Sequence, residues 1–331
     1  MHPSLVPPET LKGRSPEEIN VWKTEYDVVS NLRRLGHEVR PLGVQDELNP
    51  IRVAADEWKP DVVFNLLEEF HGVVEFDHHV VSYLELLKAH YTGCNPRGLV
   101  LARSKAITKK IAAYHRVRVP AFVVVPRGRR VVRPKSLRFP LFVKSASEEA
   151  SLGISQASIV ESDEKLTERV RFIHESIESD ALVEEYIEGR ELYVGVIGNE
   201  RLRVLPTWEL DFGKLTESGE PIATARVKHS PEYQKKHGID IRRAQELDPA
   251  IERQLQRTTR RVYRMLELDG YARVDYRLTA KGELYLLEAN PNPEIAEKEE
   301  FASAAAAAGL KYRALLSRLL GLALSRPGRM D

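Results

Sequence analysis

Cysteine is nearly missing from this chain: its 331 residues include one, Cys94. A disulfide framework within the chain and a multi-cysteine zinc site are therefore excluded. An excess of charge of either sign is missing too. Lysine and arginine number 50, aspartate and glutamate 49. Whole-molecule attraction to nucleic acid or to an anionic membrane is not expected of such a balance. No apolar run approaches the ~18 residues that a membrane-crossing helix needs. The opening Met1-His2-Pro3-Ser4-Leu5-Val6-Pro7-Pro8 has neither a basic start nor an apolar stretch of the secretory kind, so a cytoplasmic location is expected. Common chemical signatures are absent as well. There is no GxxxxGK(S/T) phosphate loop, no GxGxxG fingerprint, no HExxH and no GxSxG. His71, His78 and His79 cluster with Glu75 and Asp77, but at no spacing that matches a metal site. Cys94 has no base beside it in sequence, so a buried thiol is the plainer reading.

What is present describes a soluble globular protein. Apolar residues make up 42% and charged residues 30%. The length suits two or three domains with ample chain for a core. Ser15-Pro16-Glu17-Glu18 reads as a helix start, running to Arg34 and ended by Leu35-Gly36-His37. Residues 37–42 and 61–66 read as strands, 77–89 and 104–115 as helices. Helix and strand alternating in this way predict a doubly wound parallel sheet for the N-terminal region. Strands at 119–125, 140–144 and 181–186 follow, with a helix over 163–178. The last third reads as antiparallel. A hairpin around Gly198-Asn199 precedes an irregular stretch, 211–247. A helix over 249–266 leads to a second hairpin, Tyr271 to Leu278 and Glu283 to Glu288, and two closing helices. Residues 127–138 carry Arg127, Arg129, Arg130, Arg133, Lys135 and Arg138 with no acid. Such a run is either solvated or suited to an acidic substrate or carrier protein.

The chemistry-bearing residues fall in order. Lys105 follows Ser104 at a helix start. Lys144 ends a strand before a small-residue loop that closes at Gly153. A lysine so placed can neutralise a phosphate; an ordinary solvated lysine is the alternative. The acidic strand Leu182-Val183-Glu184-Glu185-Tyr186-Ile187 leads through Gly189 to Glu191. Side chains alternate along a strand, so Arg273 and Asp275 share a face, as do Glu288 and Asn290. If the two strands pair, one face holds a guanidinium, two carboxylates and an amide, an oxygen-rich set that suits Mg²⁺. An exposed salt-bridged sheet face is the alternative.

The segments "FPLFVKSASEEASLGI", "ALVEEYIEGREL" and "YARVDYRLTAKGELYLLEANPNP", in this order, resemble the ATP-grasp superfamily and within it the D-alanine–D-alanine ligase-like group. The resemblance implies an ATP-grasp fold of mixed α/β and α+β class. Its regions would be an N-terminal α/β domain (1–100), a central lid subdomain (101–182) and a C-terminal catalytic domain (183–331). It implies ATP and two Mg²⁺ ions, with Mn²⁺ able to substitute. Lys105 and Lys144 would meet the phosphates, and Glu184, Glu185, Tyr186, Ile187 and Leu287 the adenine. Glu191 would bind the ribose, and Asp275, Glu288 and Asn290 the metal. Arg273, Lys228 and the loop residue Ser151 would form the catalytic set. The implied reaction converts a carboxylate to an acyl phosphate, which an amine then captures as an amide. Partners would be small carboxylates and amines, with no nucleic acid and no membrane, and a homodimer is expected by resemblance.

Departures set the expected substrates apart. The loop Glu148-Glu149-Ala150-Ser151-Leu152-Gly153 is poorer in glycine and serine than in the D-alanine enzymes. Pro291-Asn292-Pro293-Glu294-Ile295 stands where they carry a Pro-Gly and serine set. Their glycine-rich N-terminal strand end is not recognisable in residues 1–50. The expectation is a carboxylate–amine ligase for substrates other than two D-alanines. A phosphotransferase or a D-alanine–D-alanine ligase proper is the alternative. Glu294 and Glu297 near the expected acceptor site suggest, as a hypothesis, a cationic amine; a solvated acidic helix start is the other reading.

Overall fold

The computed structural model of the chain describes residues 1–146, 154–216, 222–224, 226–227 and 230–326. Ser15 starts the first helix through a capping box: its hydroxyl accepts from Glu18 N at 3.2 Å, and Glu18 Oε2 accepts from Ser15 N at 2.9 Å. The helix breaks at Trp22, giving Pro16–Val21 and Lys23–Arg34. Trp22 is tied elsewhere, its indole N–H donating to Ser4 O at 2.9 Å. Gly36, at φ +89°, ends the second helix in the left-handed region that glycine enters freely.

Two antiparallel sheets follow. The smaller contains β1 (Phe122–Val125), β2 (Leu141–Ser145), β3 (Ile159–Val160) and β4 (Ala181–Glu185), in the order β1-β4-β2-β3. The helix Asp163–Ser176 covers it, capped by Ser162 and burying Leu166, Val170 and Ile173 at helical spacing. These meet Leu141, Val143 and Val183 in a core separate from the rest of the chain.

The larger sheet contains β5 (Arg190–Ile197), β6 (Arg203–Val204), β7 (Trp208–Asp211), β8 (Asp240–Arg243), β9 (Tyr271–Leu278) and β10 (Leu284–Pro291). Its order is β10-β9-β5-β7-β8, with β6 beside β5. Alternation divides its residues. Leu192, Val194 and Val196 of β5 and Ala272, Val274 and Tyr276 of β9 join one core, with Leu255, Val262 and Tyr263 of the helix Pro249–Met265. Tyr193, Ile197 and Tyr271 face the other way, into a second core with the helices Glu300–Ala307 and Tyr312–Leu324. Gly195 permits that packing, because a Cβ there would sit 3.0 Å from the Phe301 ring.

The N-terminal region differs from its sequence expectation. Residues 37–42 form no strand. His37, Glu38 and Arg40 are exposed, and Pro41 has no N–H to offer a neighbour. The segment 61–66 makes one parallel bridge, Val63 with Tyr91, instead of a laid-out strand. Val63 N donates to His90 O at 2.8 Å and Thr92 N to Val63 O at 3.0 Å. Then the Thr92 hydroxyl takes the Asn65 N–H at 3.0 Å, replacing the next ladder bond. Among the described residues the parallel sheet is thus reduced to this single bridge. Part of the irregular stretch 211–247 proves ordered, as the helix Pro231–His237 and β8. The expected division after residue 182 falls inside β4, which pairs along its length with β1 and β2.

Candidate active site

The helix Lys105–Tyr114 starts at Ser104, whose hydroxyl accepts from Ile107 N at 3.4 Å. Its buried stripe is Lys105, Thr108, Lys109 and Ala112. Two lysines thus lie on the face that packs inward. Lys109 is fully buried, with Nζ 2.9 Å from Glu184 Oε2 and donating to Leu287 O at 3.0 Å. Lys144, at the end of β2, reaches Glu184 Oε1 at 2.8 Å. Glu184 therefore sits between two ammonium groups. Burial alone would raise its pKa, but Lys109 and Lys144 outweigh it and hold the carboxyl below its usual value. Burial likewise opposes the Lys144 charge, yet Glu184, with Glu288 and Glu191, keeps its pKa above the ordinary lysine value. For Lys109 burial wins, and its pKa is lowered.

On the larger sheet, Arg273, Asp275 and Arg277 lie on the face of β9 opposite the helix Pro249–Met265. Arg273 grips Asp275 bidentately, Nε to Oδ1 at 2.8 Å and Nη2 to Oδ2 at 3.0 Å. It also donates to Glu300, and its guanidinium lies 4.8 Å from the Tyr193 ring centre. Asn290 Nδ2 donates to Asp275 Oδ2 at 3.0 Å. Glu288 is opposite Asp275 in the β9–β10 register, and Asn290 is opposite Arg273. Glu191 accepts from Tyr193 OH at 2.9 Å and from Arg277 Nη2 at 2.8 Å. Gly189, at φ +149°, makes the turn from β4 into β5; a Cβ there would stand 2.1 Å from Leu278 O.

These groups share one cavity of about 830 Å³ between the two sheets. Lys105, Lys144, Glu184, Glu185, Tyr186 and Ile187 line it together with Glu191, Arg273, Asp275, Leu287, Glu288 and Asn290. Every site residue expected from the sequence is there except two. Lys228 and Ser151 lie outside the described residues.

The D-ala D-ala ligase C-terminus family model matches residues 112–321. The D-alanine--D-alanine ligase of Aquifex aeolicus is 30% identical, over 94% of this chain and 98% of that protein. The chain belongs to the D-alanine–D-alanine ligase family. A protein of Sinorhizobium fredii called "Uncharacterized protein y4sG" is 31% identical over 90% of this chain and 87% of its own length. The fold is that of ATP-grasp ligases: the crystal structure of D-alanine--D-alanine ligase from Bacillus anthracis complexed with ATP superposes with a TM-score of 0.73, at 22% identity and 94% coverage of each chain. Membership makes this protein an ATP-dependent, ADP-forming carbon–nitrogen ligase of the carboxylate–amine kind.

Several residues of this ligase escape a reading of the sequence. Lys109 is one, although its spacing of four from Lys105 on one helix would have placed both on the same face. Arg277 continues the alternation of Arg273 and Asp275, and Tyr193 lies two residues from Glu191. Glu300 carries no such local signal, because it arrives on a separate helix. No site residue is expected within 1–50, yet His2 and Ser4 line the cavity. Glu294 lines it as well, from an exposed position; Glu297 is exposed too, with its N–H donating to Asp27 Oδ2 at 2.9 Å. In the basic run, Arg133 pairs with Asp163 at 2.8 Å and Arg127 donates to Glu178 O, whereas Arg129, Arg130, Lys135 and Arg138 are exposed. Cys94 is buried, and burial pushes its thiol up. Among the described residues no helix is long and apolar enough to cross a membrane.

Proposed function

We propose that this ligase activates a small carboxylate as an acyl phosphate and joins it to an amine other than in a D-alanine pair. The observation that carries the reading is the single cavity that collects Lys105, Lys144, Glu191, Arg273, Asp275, Glu288 and Asn290 from two sheets and a helix. Lys105 and Lys144 would meet the phosphates of ATP. The β4 end, Glu184 to Ile187, and Leu287 would hold the adenine, and Glu191 the ribose. Lys228 and Ser151 would complete the phosphate end, Lys228 toward the γ-phosphate. The separate core of the smaller sheet supports treating it as a lid over the nucleotide. Water must be excluded once the acyl phosphate exists, because hydrolysis would compete with the amine.

Asp275, Glu288 and Asn290 would hold Mg²⁺, with Mn²⁺ able to substitute. Among the described residues no three His, Cys, Asp or Glu side chains gather to ligate a metal by themselves. Two carboxylates and an amide nevertheless fit a hard cation that completes its shell with phosphate oxygens and water. When bound, the metal supplies charge neutralisation at the phosphates. Arg273, oriented by Asp275 and Glu300, would donate to the oxyanion that develops as the amine attacks.

The departures at Pro293-Glu294 and in the 145–153 loop support substrates unlike two D-alanines. A second reading, D-alanine–D-alanine ligase proper, is supported by relatives that carry that name, such as the Aquifex aeolicus protein. ADP release with Mg-ATP decides between them, measured across amino acids and small carboxylic acids singly and in pairs, with mass spectrometry of the products. The expected outcome is an amide that needs two different substrates. A D-alanine dipeptide from D-alanine alone would establish the second reading. ADP release with one substrate and no amide would move the assignment to a phosphotransferase.

Glu294 carries a further expectation. Although Glu294 keeps an exposed edge, the protein packed around it and then Glu299 beside it push its carboxyl up to about 7. Its charge therefore grows as pH rises from 6 to 8. A preference for cationic over neutral amines should grow in the same direction. Glu294→Gln should remove about fivefold of it, the ~1 kcal/mol of a solvent-open ion pair. A preference that is absent, or unchanged in the variant, would sink the cationic-amine hypothesis.

A further inference from the structure

Strand alternation alone would not bring the two halves of the acidic face together. In β9–β10, Leu284 is opposite Leu278 and Leu286 is opposite Tyr276, all in the core against the helix Pro249–Met265. Continued without interruption, that pairing would set Glu288 against Val274 and Asn290 against Ala272, inside an apolar core. The register instead shifts between Leu286 and Glu288, so that Glu288 meets Asp275 and Asn290 meets Arg273. Burial switches parity at the same point: Leu284 and Leu286 are buried before it and Ala289 after it. Leu287 is the extra residue of a β-bulge. The arrangement of Asp275, Glu288 and Asn290 exists because of that one residue.

A bulge residue leaves its carbonyl without a ladder partner, and a buried orphan carbonyl is costly. Here Lys109 Nζ donates to Leu287 O at 3.0 Å, and on the strand side Leu286 N donates to Arg118 O at 2.9 Å. Lys109 can be buried because Glu184 lies 2.9 Å from it. The same ammonium thus touches the lid sheet through Glu184 and the catalytic sheet through the bulge.

We infer that Lys109 is a positioning residue that holds the Leu287 bulge and thereby sets Glu288 and Asn290 opposite Asp275 and Arg273. The inference rests on the reading of Asp275, Glu288 and Asn290 as metal ligands. A merely structural Lys109, serving only to neutralise Glu184, would act on the nucleotide through Glu184 and Lys144 with or without metal. Action through the bulge is felt where metal is held. The discriminating quantity is the gain in ATP affinity on going from EDTA to Mg²⁺, read by calorimetry on the full chain.

Lys109→Met should lose at least tenfold of that gain. Lys109→Arg, which keeps the charge but moves the donors, should lose three- to fivefold. Thermal melting without ligand checks that each variant is folded. Should Lys109→Met not fold, Lys109→Arg decides, and a loss below twofold overturns the proposal. A gain equal to wild type in both variants, with weaker ATP binding in EDTA, also overturns it and leaves the Glu184 role standing. No Mg²⁺ gain in the wild type would overturn the metal reading, and this inference with it.

Discussion

Glu288→Gln is expected to lower ligase turnover by about 10²–10³-fold with little change in thermal stability. The magnitude corresponds to the several kcal/mol that a bound metal contributes to charge stabilisation at a phosphoryl centre. Gln keeps the shape and one carbonyl oxygen but not the negative charge. Glu288 lies opposite Asp275 at the end of the sheet, beside a guanidinium already shared by Asp275 and Glu300. Its charge is therefore not needed to neutralise Arg273, and Lys144, whose charge it also favours, keeps Glu184 at 2.8 Å. The loss should appear in kcat, with the substrate pair that the panel identifies, and raising Mg²⁺ should restore part of it. Wild-type turnover in the variant would remove Glu288 from the metal set and leave the face as a structural salt-bridge array.

Glu184→Leu should cost about 3–5 kcal/mol of unfolding free energy, the usual penalty for removing one partner of a buried ion pair. Here two ammonium groups, Lys109 and Lys144, lose their shared anion inside the protein. The effect depends on pH with a defined sign. The Glu184 pKa is depressed in the folded state below the unfolded value of 4.5. Its contribution is therefore fully present above about pH 5 and is lost as pH falls through the folded pKa. Wild type and variant should differ most just above pH 5 and converge as pH falls below 4.5; toward alkaline pH the difference should narrow, because without Glu184 the buried Lys109 and Lys144 shed their protons more readily. Denaturant melts at a series of pH values measure this. A difference that persists unchanged at pH 3 would show that packing, and not the ion pairs, sets the loss.

Local chemistry was legible along the chain because it depends on local periodicity. Ser15 and Ser104 announce their helices. The alternation of Arg273 with Asp275, and of Glu288 with Asn290, follows from the pleat of any strand. Lys144 at a strand end and Glu191 after Gly189 are positional facts of the same kind. The N-terminal region is less legible for the complementary reason. Apolar content at 61–66 is compatible with a strand, but a ladder needs a neighbour whose backbone is free to pair. Thr92 supplies a side-chain hydroxyl to Asn65 N, and the ladder stops at one bridge.

The order of lysines, acidic strand and metal hairpin is a property of the linear chain, and it was enough to indicate the family and its chemistry. Whether the two halves of the hairpin cooperate was not. Pairing register is a long-range property, and a shift of one residue sends a side chain to the opposite face. One extra residue, Leu287, moves Glu288 and Asn290 out of the apolar core and onto the face of Asp275. The lysine that satisfies its carbonyl lies 178 positions earlier in the chain. Nothing in the local pattern of either segment specifies that meeting; it arises when the helix Lys105–Tyr114 packs against β10 and Lys109 reaches Glu184 of β4, where a buried ammonium can remain only if it finds an anion and a carbonyl.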